Sequence, residues 1–395
     1  MYDIRKITDS ITWVGGCDRR IRIFEATYPI EDGMNYNSYL ISDEKTVLVD
    51  TADKAVAGIF FENIAAALEG KPLDYVIVQH MEPDHSATLA ELVLRYPDVK
   101  VVCNQKTIAM ISQFFEFDIA SRAVIVAEGD ELDIGSRKLT FVMAPMVHWP
   151  EVMFTYDPGD KVLFSADAFG SFGAIDGSIF ADTQDFESEF LSEARRYYTN
   201  IVGKYGAQVQ MVLKKAADLD IAYICPLHGL VWRKDLDKVL AIYDKWSRYE
   251  AEEKGVAIFY GSVYGNSANA AQIMAGKLAD KGVAVKVYDM NVKHFSHAVA
   301  AAFRFDRILL VTPTVNAEIL SSMDVVVRAL VSHNIKNRKI AVIDNGTWAP
   351  VAGRSIREIL GGLKDTTVLE KTLSFKSSVK TSDLEAMDEI VQALI

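Results

Sequence analysis

His80-Met81-Glu82-Pro83-Asp84-His85 places four metal-capable side chains within six residues. Imidazole and carboxylate are ligands for divalent transition metals, and a mixed set suits iron or manganese as well as zinc. The stretch directly follows the apolar run Tyr75-Val76-Ile77-Val78-Gln79, which reads as a buried strand. So many polar groups at a strand end are costly to bury without a partner, and a metal pair would supply one. Taken alone, the motif also fits a polar loop in which a histidine lies beside an acidic pair.

The remaining histidines decide between these. The chain has seven, and four precede residue 254: His80, His85, His148 and His228. His148 follows a strand expected at Leu139–Ala144, and His228 follows one ending at Cys225-Pro226. Asp167 follows a strand at Lys161–Ser165. Every candidate sits just past the carboxyl end of a strand, where α/β folds place their ligand crevices. Seven ligands are too many for one ion and suit two, each with two imidazoles and one terminal carboxylate, and one aspartate bridging. Three carboxylates and a hydroxide balance two divalent ions, which matters because an uncompensated buried charge is expensive. One position on each ion stays open for a small diatomic molecule.

The elements that position these residues fall into two halves. Up to about residue 252 the pattern is of short strands at Ile11–Val14, Ile21–Phe24, Asn37–Ile41, Thr46–Val49, Val99–Cys103, Ala123–Val126 and Met153–Tyr156, with helices at Ala57–Leu68 and Ala87–Arg95. A long helical region is expected over Ser188–Asp218 and another helix over Lys234–Glu253. A charged stretch from Asp244 to Lys254 marks the boundary, giving domains 1–252 and 253–395. Beyond it strand and helix alternate strictly, which means a parallel sheet covered on both faces. The formal charge of −12 argues against nucleic acid or an anionic membrane as the main partner. The three cysteines, Cys17, Cys103 and Cys225, form no Cys-x-x-Cys pair. With no signal-like or membrane-spanning run, the expectation is a cytoplasmic protein without an appended rubredoxin.

In the second half the strand Val256–Tyr260 runs into Gly261-Ser262-Val263-Tyr264-Gly265-Asn266-Ser267 and then a helix. Small and hydroxyl residues there let backbone N–H groups surround a phosphate, with Ser262, Asn266 and Ser267 as added donors. The loop has neither the lysine of a triphosphatase nor a Gly-x-Gly-x-x-Gly pattern. It resembles the FMN-phosphate loop of flavodoxins, which hold a monophosphate with neutral donors. Two further loops, Thr312-Pro313-Thr314-Val315-Asn316 and Asn345-Gly346-Thr347-Trp348-Ala349-Pro350-Val351-Ala352-Gly353, stand where flavodoxin-like domains wrap the flavin ring. Trp348 is the stacking candidate, since a flat aromatic matches a flat ring. His294, His297 and His333 fit no ligand spacing and read as surface residues.

His-x-Glu-x-Asp-His together with His148, Asp167 and His228 resembles the diiron domain of the flavodiiron proteins, and the resemblance covers essentially the whole chain. The flanking words Met146-Val147-His148-Trp149-Pro150, Asp167-Ala168-Phe169-Gly170 and His228-Gly229-Leu230-Val231-Trp232-Arg233-Lys234 match as well. The resemblance implies an N-terminal metallo-β-lactamase-like αββα sandwich followed by a flavodoxin-like doubly wound sheet. It also implies two irons: one held by His80, Glu82 and His148, the other by Asp84, His85 and His228, with Asp167 bridging. In some relatives the residue matching His85 does not bind its iron. Hydrolytic members of the superfamily carry a second histidine where this chain has Glu82, and a harder oxygen ligand favours iron.

By the same resemblance the activity is reduction of dioxygen to water, nitric oxide to nitrous oxide, or both. Electrons would pass through FMN from rubredoxin, a reduced deazaflavin or a reductase. A head-to-tail homodimer, or a tetramer built from it, would appose one chain's flavin to the other's irons. Tyr198 (or its neighbour Tyr197) would line the pocket. The chain departs from many relatives at Ser171-Phe172 and Glu25, where they carry histidines, and at Trp348-Ala349-Pro350. For donor docking, Lys336, Arg338 and Lys339, or Arg233 and Lys234, are the candidate basic patches. The alternatives are a dinuclear zinc hydrolase with a flavodoxin-like domain and an electron carrier with a structural metal site.

Overall fold

The computed structural model describes Met1–Ile395. The chain packs as two compact units, Met1–Tyr198 with Ala207–Asp244, and Thr199–Gly206 with Lys245–Ile395. The stretch 245–252, assigned from sequence to the first half, packs with the second unit, as does the short segment Thr199–Gly206.

In the first unit β1 (Arg5–Lys6) and β2 (Ile11–Trp13) open the chain. Two ribbons follow, β3 (Gly16–Asp18) with β6 (Met34–Tyr36), enclosing β4 (Ile23–Phe24) with β5 (Tyr28–Pro29). With β7 (Tyr39–Ser42), β8 (Thr46–Val49), β9 (Tyr75–Ile77), β10 (Lys100–Cys103) and β11 (Ala123–Ile125), a seven-stranded sheet forms in the order β1-β2-β7-β8-β9-β10-β11. Its β8 to β11 run is parallel. β12 (Glu131–Asp133), β13 (Lys138–Met143), β14 (Met153–Asp157), β15 (Val162–Phe164) and β16 (Tyr223–Cys225) make a second sheet, antiparallel except for its last pair. The apolar runs Thr46–Val49 and Val162–Phe164 are buried at every residue, as strands covered on both faces must be.

Helix Ala57–Leu68 links the parallel strands β8 and β9 and stops where Glu69 and Gly70 turn left-handed. Helix Gln105–Phe114 is absent from the sequence expectation, although Asn104 caps it by accepting from the Lys106 and Thr107 N–H groups. The helical region expected over Ser188–Asp218 is present and runs from Phe186 to Ala216, with wide turns at Phe186–Phe190 and Tyr198–Val202 and a tighter one at Gly203–Tyr205 flanking helices Leu191–Tyr197 and Gly206–Ala216. At Gly206 a Cβ would lie 2.3 Å from the Ser247 carbonyl oxygen, so the close backbone approach needs glycine there.

In the second unit β17 (Glu253–Tyr260), β18 (Ala284–Asp289), β19 (Phe305–Val315), β21 (Arg338–Asn345) and β22 (Thr366–Phe375) pair in parallel in the order β18-β17-β19-β21-β22. The two-residue β20 (Glu318–Ile319) folds back on β19. Helices Asn266–Ala279, Phe295–Arg304, Ser321–Ser332, Ala352–Leu360 and Leu384–Leu394 complete a doubly wound fold. Its strand order reverses between β17 and β19, the switch point where such sheets bind ligands. Val256, Ile258, Leu309, Val311, Ala341 and Ile343 pack there against Met274, Leu278, Ile390 and Leu394. No helix of the protein is long and apolar enough to cross a membrane.

The histidines of this unit are not plain surface residues. All three are half-buried, and the His294 Nδ1 accepts from the Ser296 N–H to cap helix Phe295–Arg304. Arg338 is not a docking cation either, being only 3% exposed. Its guanidinium donates to the carbonyls of Ala302, Phe303, Tyr249, Lys336 and Asn337. Burial lowers its pKa to about 10. The neighbouring Lys339 donates to the Ala393 carbonyl. Arg338→Met would leave those carbonyls unpaired in a buried setting. The expected loss is roughly 2–4 kcal/mol of unfolding free energy, read as a shift in the urea midpoint; an unchanged midpoint would refute the clamp.

Candidate metal centre and loop cavity

The seven side chains meet. His80 follows β9, and the short helix Pro83–Ser86 begins at once, with Glu82 as its cap and Asp84 and His85 inside it. Proline at the first helical position starts that turn without wasting an N–H. His148 follows β13, Asp167 follows β15 and His228 follows β16. Gly229 lets the chain turn away behind His228: its φ is +71°, and a Cβ would strike the Ser171 hydroxyl.

Two ligand groups result, His80, Glu82, His148 and Asp167 in one and Asp84, His85 and His228 in the other. Asp167 faces both. Its Oδ2 lies 3.0 Å from His148 Nε2 and 3.4 Å from His80 Nε2, while its Oδ1 lies 3.1 Å from His85 Nε2 and 3.8 Å from His228 Nε2. Glu82 Oε2 is 3.0 Å from His148 Nε2, and Asp84 Oδ2 is 3.1 Å from His228 Nε2. Such spacings suit the edges of a coordination polyhedron with bonds of about 2.0–2.2 Å.

The donor chemistry calls for a cation between these atoms. His228 Nδ1 donates to the Asn35 carbonyl at 2.8 Å, so its Nε2 carries a lone pair, yet that atom lies 2.9 Å from His85 Nε2. Both Asp84 oxygens, Asp167 Oδ1 and His85 Nδ1 are buried without a hydrogen bond. Buried polar atoms in folded proteins are rarely left so. Burial disfavours the imidazolium forms, but the carboxylates outweigh it: His85 and His148 are raised to about 9 and His80 well above its ordinary value. Burial likewise opposes the ionised Glu82 and Asp167, yet the imidazoles hold both below the usual carboxylate range. The site favours positive charge at its centre, and two divalent ions would satisfy it better than protons.

Three supporting residues escaped the sequence reading. Glu151 accepts from His80 Nδ1–H and from the Met81 N–H, each at 2.9 Å, and is fully buried. Asn35 orients His228, and Asp50 accepts the Gln79 N–H at 2.8 Å, just before His80. An acidic residue three positions after His148, in an otherwise apolar stretch, was the available signal for Glu151, because metal-binding imidazoles are regularly held by a second carboxylate.

Of the two tyrosines, Tyr197 is the one that lies beside the ligand groups. The Tyr197 ring lies 5.6 Å from the His228 ring, while Tyr198, the next residue round the helix, packs on Tyr243 at 4.9 Å. Phe24 and Tyr36 also meet the His228 ring edge-on, and Phe172 packs on Phe24, Tyr28 and Tyr197. An aromatic wall thus stands beside His228. Glu25, whose residue surface otherwise faces solvent, has a carboxyl raised to about 8 by burial and then by Glu82.

In the second unit a cavity of about 510 Å³ is lined by Ser262, Val263, Tyr264, Asn266, Ser267, Pro313, Thr314, Val315, Asn316, Asn345, Gly346, Thr347, Trp348 and Ala349, with Ala317 and Ser377 added. Gly265 and Gly353, grouped with these loops in the sequence, are not among the lining residues. The Gly265 N–H goes to the Ser262 hydroxyl and the Gly353 N–H to Asp344. Thr314 Oγ1 accepts from the Val351 and Ala352 N–H groups, tying two of the loops together. Ser267 Oγ and Asn345 Oδ1 are buried without partners. Tyr264 and Trp348 are 91% and 87% exposed at the cavity, an apolar surface that a flat ring would cover.

Fold and site define a metallo-β-lactamase-like unit with a binuclear ligand set, joined in one chain to a flavodoxin-like unit. Comparison with known proteins agrees. The model of the ODP family beta lactamase matches residues 34–229. An anaerobic nitric oxide reductase flavorubredoxin of Salmonella arizonae is 32% identical over 97% of this chain and 79% of its own length. Among solved structures, the flavodiiron protein of Giardia intestinalis superposes with a TM-score of 0.93 at 27% identity, covering 99% of this chain and 95% of that one. The rubredoxin oxygen:oxidoreductase of Desulfovibrio gigas gives 0.93 at 26%, covering 99% and 98%. The chain belongs to the flavodiiron proteins and is an oxidoreductase.

Two outcomes follow. Glu151→Gln keeps the shape but weakens the hold on His80, so metal affinity should drop about 10–100-fold, measured by competition with a chromogenic chelator; an unchanged affinity would remove Glu151 from the site. In chelator-treated protein, the contribution of His85 and His148 is complete below their ordinary value of 6.5 and lost as pH rises through about 9. The urea midpoint should therefore fall across that window, and a flat or rising profile would contradict it.

Proposed function

We propose that this protein reduces dioxygen to water, nitric oxide to nitrous oxide, or both, at a binuclear non-haem iron centre fed by FMN. The observation that carries the reading is Asp167, whose two oxygens face two separate imidazole–carboxylate groups. His80, Glu82 and His148 would hold one iron, Asp84, His85 and His228 the other, with Asp167 between them. When bound, the two ferrous ions would supply electrons and open positions for a diatomic gas. Glu82, Asp84 and Asp167 offset the charge of the ions, and Glu151 and Asn35 keep the lone pairs of His80 and His228 aimed inward. Phe24, Tyr36, Phe172 and Tyr197 form an apolar wall that keeps bulk water from the second group. An oxygen ligand at Glu82 and oxidoreductase relatives both weigh against a zinc hydrolase.

The cavity of the second unit would hold FMN. Ser267 and the first N–H groups of helix Asn266–Ala279 would bind its phosphate, and Trp348 would stack on its ring. A head-to-tail homodimer, alone or within a tetramer, would bring one chain's flavin to the other's irons. Tyr264, Val263 and Trp348 offer apolar surface for such a partner to cover. Rubredoxin is the favoured donor, a reduced deazaflavin or a reductase the alternatives. Of the basic residues considered for docking, Arg338 is buried, Lys339 donates to the Ala393 carbonyl and Arg233 shares Asp182 with Lys234, while Lys234 and Lys336 keep exposed surface for a donor.

The test is elemental and flavin analysis of native protein, followed by anaerobic reduction and parallel oxygen and nitric oxide uptake at a gas electrode. Two irons and one FMN per chain with uptake of at least one gas are expected. Two zincs, no FMN and no uptake would sink the proposal.

A further inference from the structure

The cavity has a wall that neither the phosphate loop nor the two ring loops supply. β22 runs on to Phe375, and the turn Lys376–Lys380 that follows brings Ser377 to the cavity. Ser377, in left-handed backbone at φ +66°, lines the cavity. Three hydrogen bonds fasten this turn to the tryptophan loop: the Gly346 N–H donates to the Phe375 carbonyl, Asn345 Nδ2 to the Ser377 carbonyl, and the Ser377 hydroxyl to Thr347 Oγ1. Because Asn345 Nδ2 is committed to Ser377, its buried Oδ1 is left to accept an N–H from whatever fills the cavity.

Lys380 closes the turn. Its ammonium donates to the Lys376 carbonyl at 3.0 Å and to the Ser378 carbonyl at 3.1 Å, bracketing Ser377. Its own N–H is held by Asp383 at 2.8 Å. The charge is therefore pinned on the backbone beside a cavity-lining residue, not free to wander in solvent. Asp383 sits on the backbone side of Lys380, and Lys376 adds a second positive charge to the same exposed turn. The phosphate loop, by contrast, carries no cation between Gly261 and Ser267.

We propose that the turn Lys376–Lys380 is a fourth segment of the flavin cavity, and that Lys380 is a positioning residue that favours the reduced flavin. The inference rests on the reading that this cavity binds FMN. The isoalloxazine ring is neutral when oxidised. Two electrons and one proton convert it to an anion at neutral pH, so the negative charge gained on reduction is the one a fixed cation favours. A single fixed surface charge beside the cavity wall should bias the ratio of oxidised to reduced dissociation constants on the order of fivefold, which is about 20 mV for a two-electron couple.

The experiment uses the full chain reconstituted with FMN. Binding of oxidised FMN is read by fluorescence quenching, and the midpoint potential by equilibrium titration against a reference dye, at low and high salt. Lys380→Met should weaken binding of reduced FMN about fivefold more than binding of oxidised FMN, and so lower the potential by the amount above, with the difference shrinking as salt rises. Lys380→Arg should restore the wild-type potential. An unchanged potential in Lys380→Met, an equal drop in Lys380→Arg, or loss of FMN binding in Lys380→Met would each overturn the role of the charge. Failure of the unaltered chain to quench FMN would instead bring down the flavin reading itself.

Discussion

The first unit is organised around one electrostatic constraint, the burial of three carboxylates against four imidazoles at the ends of strands drawn from two sheets. Each group alone would be an expensive thing to remove from water. Together they lower one another's cost only if positive charge resides among them. The geometry shows where: the Nε2 atoms of His85 and His228 face each other at 2.9 Å, and Asp167 turns one oxygen to each side. The fold accepts this because every ligand leaves the carboxyl end of its strand, where backbone N–H groups and the Pro83–Ser86 turn already need polar company.

That constraint reaches outward. Glu151 fixes the His80 ring from behind, Asn35 fixes His228, and Asp50 fixes the chain as it leaves β9. On the His228 side the packing changes character, from carboxylates to Phe24, Tyr36, Phe172 and Tyr197. The contrast of a charged floor with an aromatic wall is suited to a small neutral gas, which needs no hydration shell removed. The second unit solves the opposite problem. Its loops leave Ser267 and Asn345 with unmet hydrogen-bonding capacity and Trp348 and Tyr264 with uncovered ring surface, a lining made for a polar, flat and largely neutral ligand.

Strict alternation after residue 254 was legible because parallel strands buried on both faces must be apolar runs, and their βα loops must start helices. The seven metal-ligand candidates were legible because histidine is scarce in this chain and each one followed an apolar run. Helix Gln105–Phe114 was missed even though Asn104 signals its start. The helical region over residues 188–218 was legible from its periodicity, whereas the wide turns inside it and the approach of Gly206 to Ser247 were not, since periodicity carries no record of tertiary contacts. Tyr197 and Tyr198 could not be told apart, as adjacent residues on a helix differ only in the direction they point.

By itself the amino-acid sequence determined which residue types were available for chemistry and which strand each would follow, because those depend on local pattern. It could also place the loop Gly261–Ser267 between its strand and its helix, because that loop is a single contiguous stretch. Tertiary structure alone decided that Asp167 faces both ligand groups, that Glu151 backs His80, that Arg338 is buried among carbonyls, and that the turn Lys376–Lys380 joins the cavity wall. Each of those is a contact between segments distant in the chain. Such contacts depend on how strands are ordered and how far each one runs, as the run of β22 on to Phe375 shows.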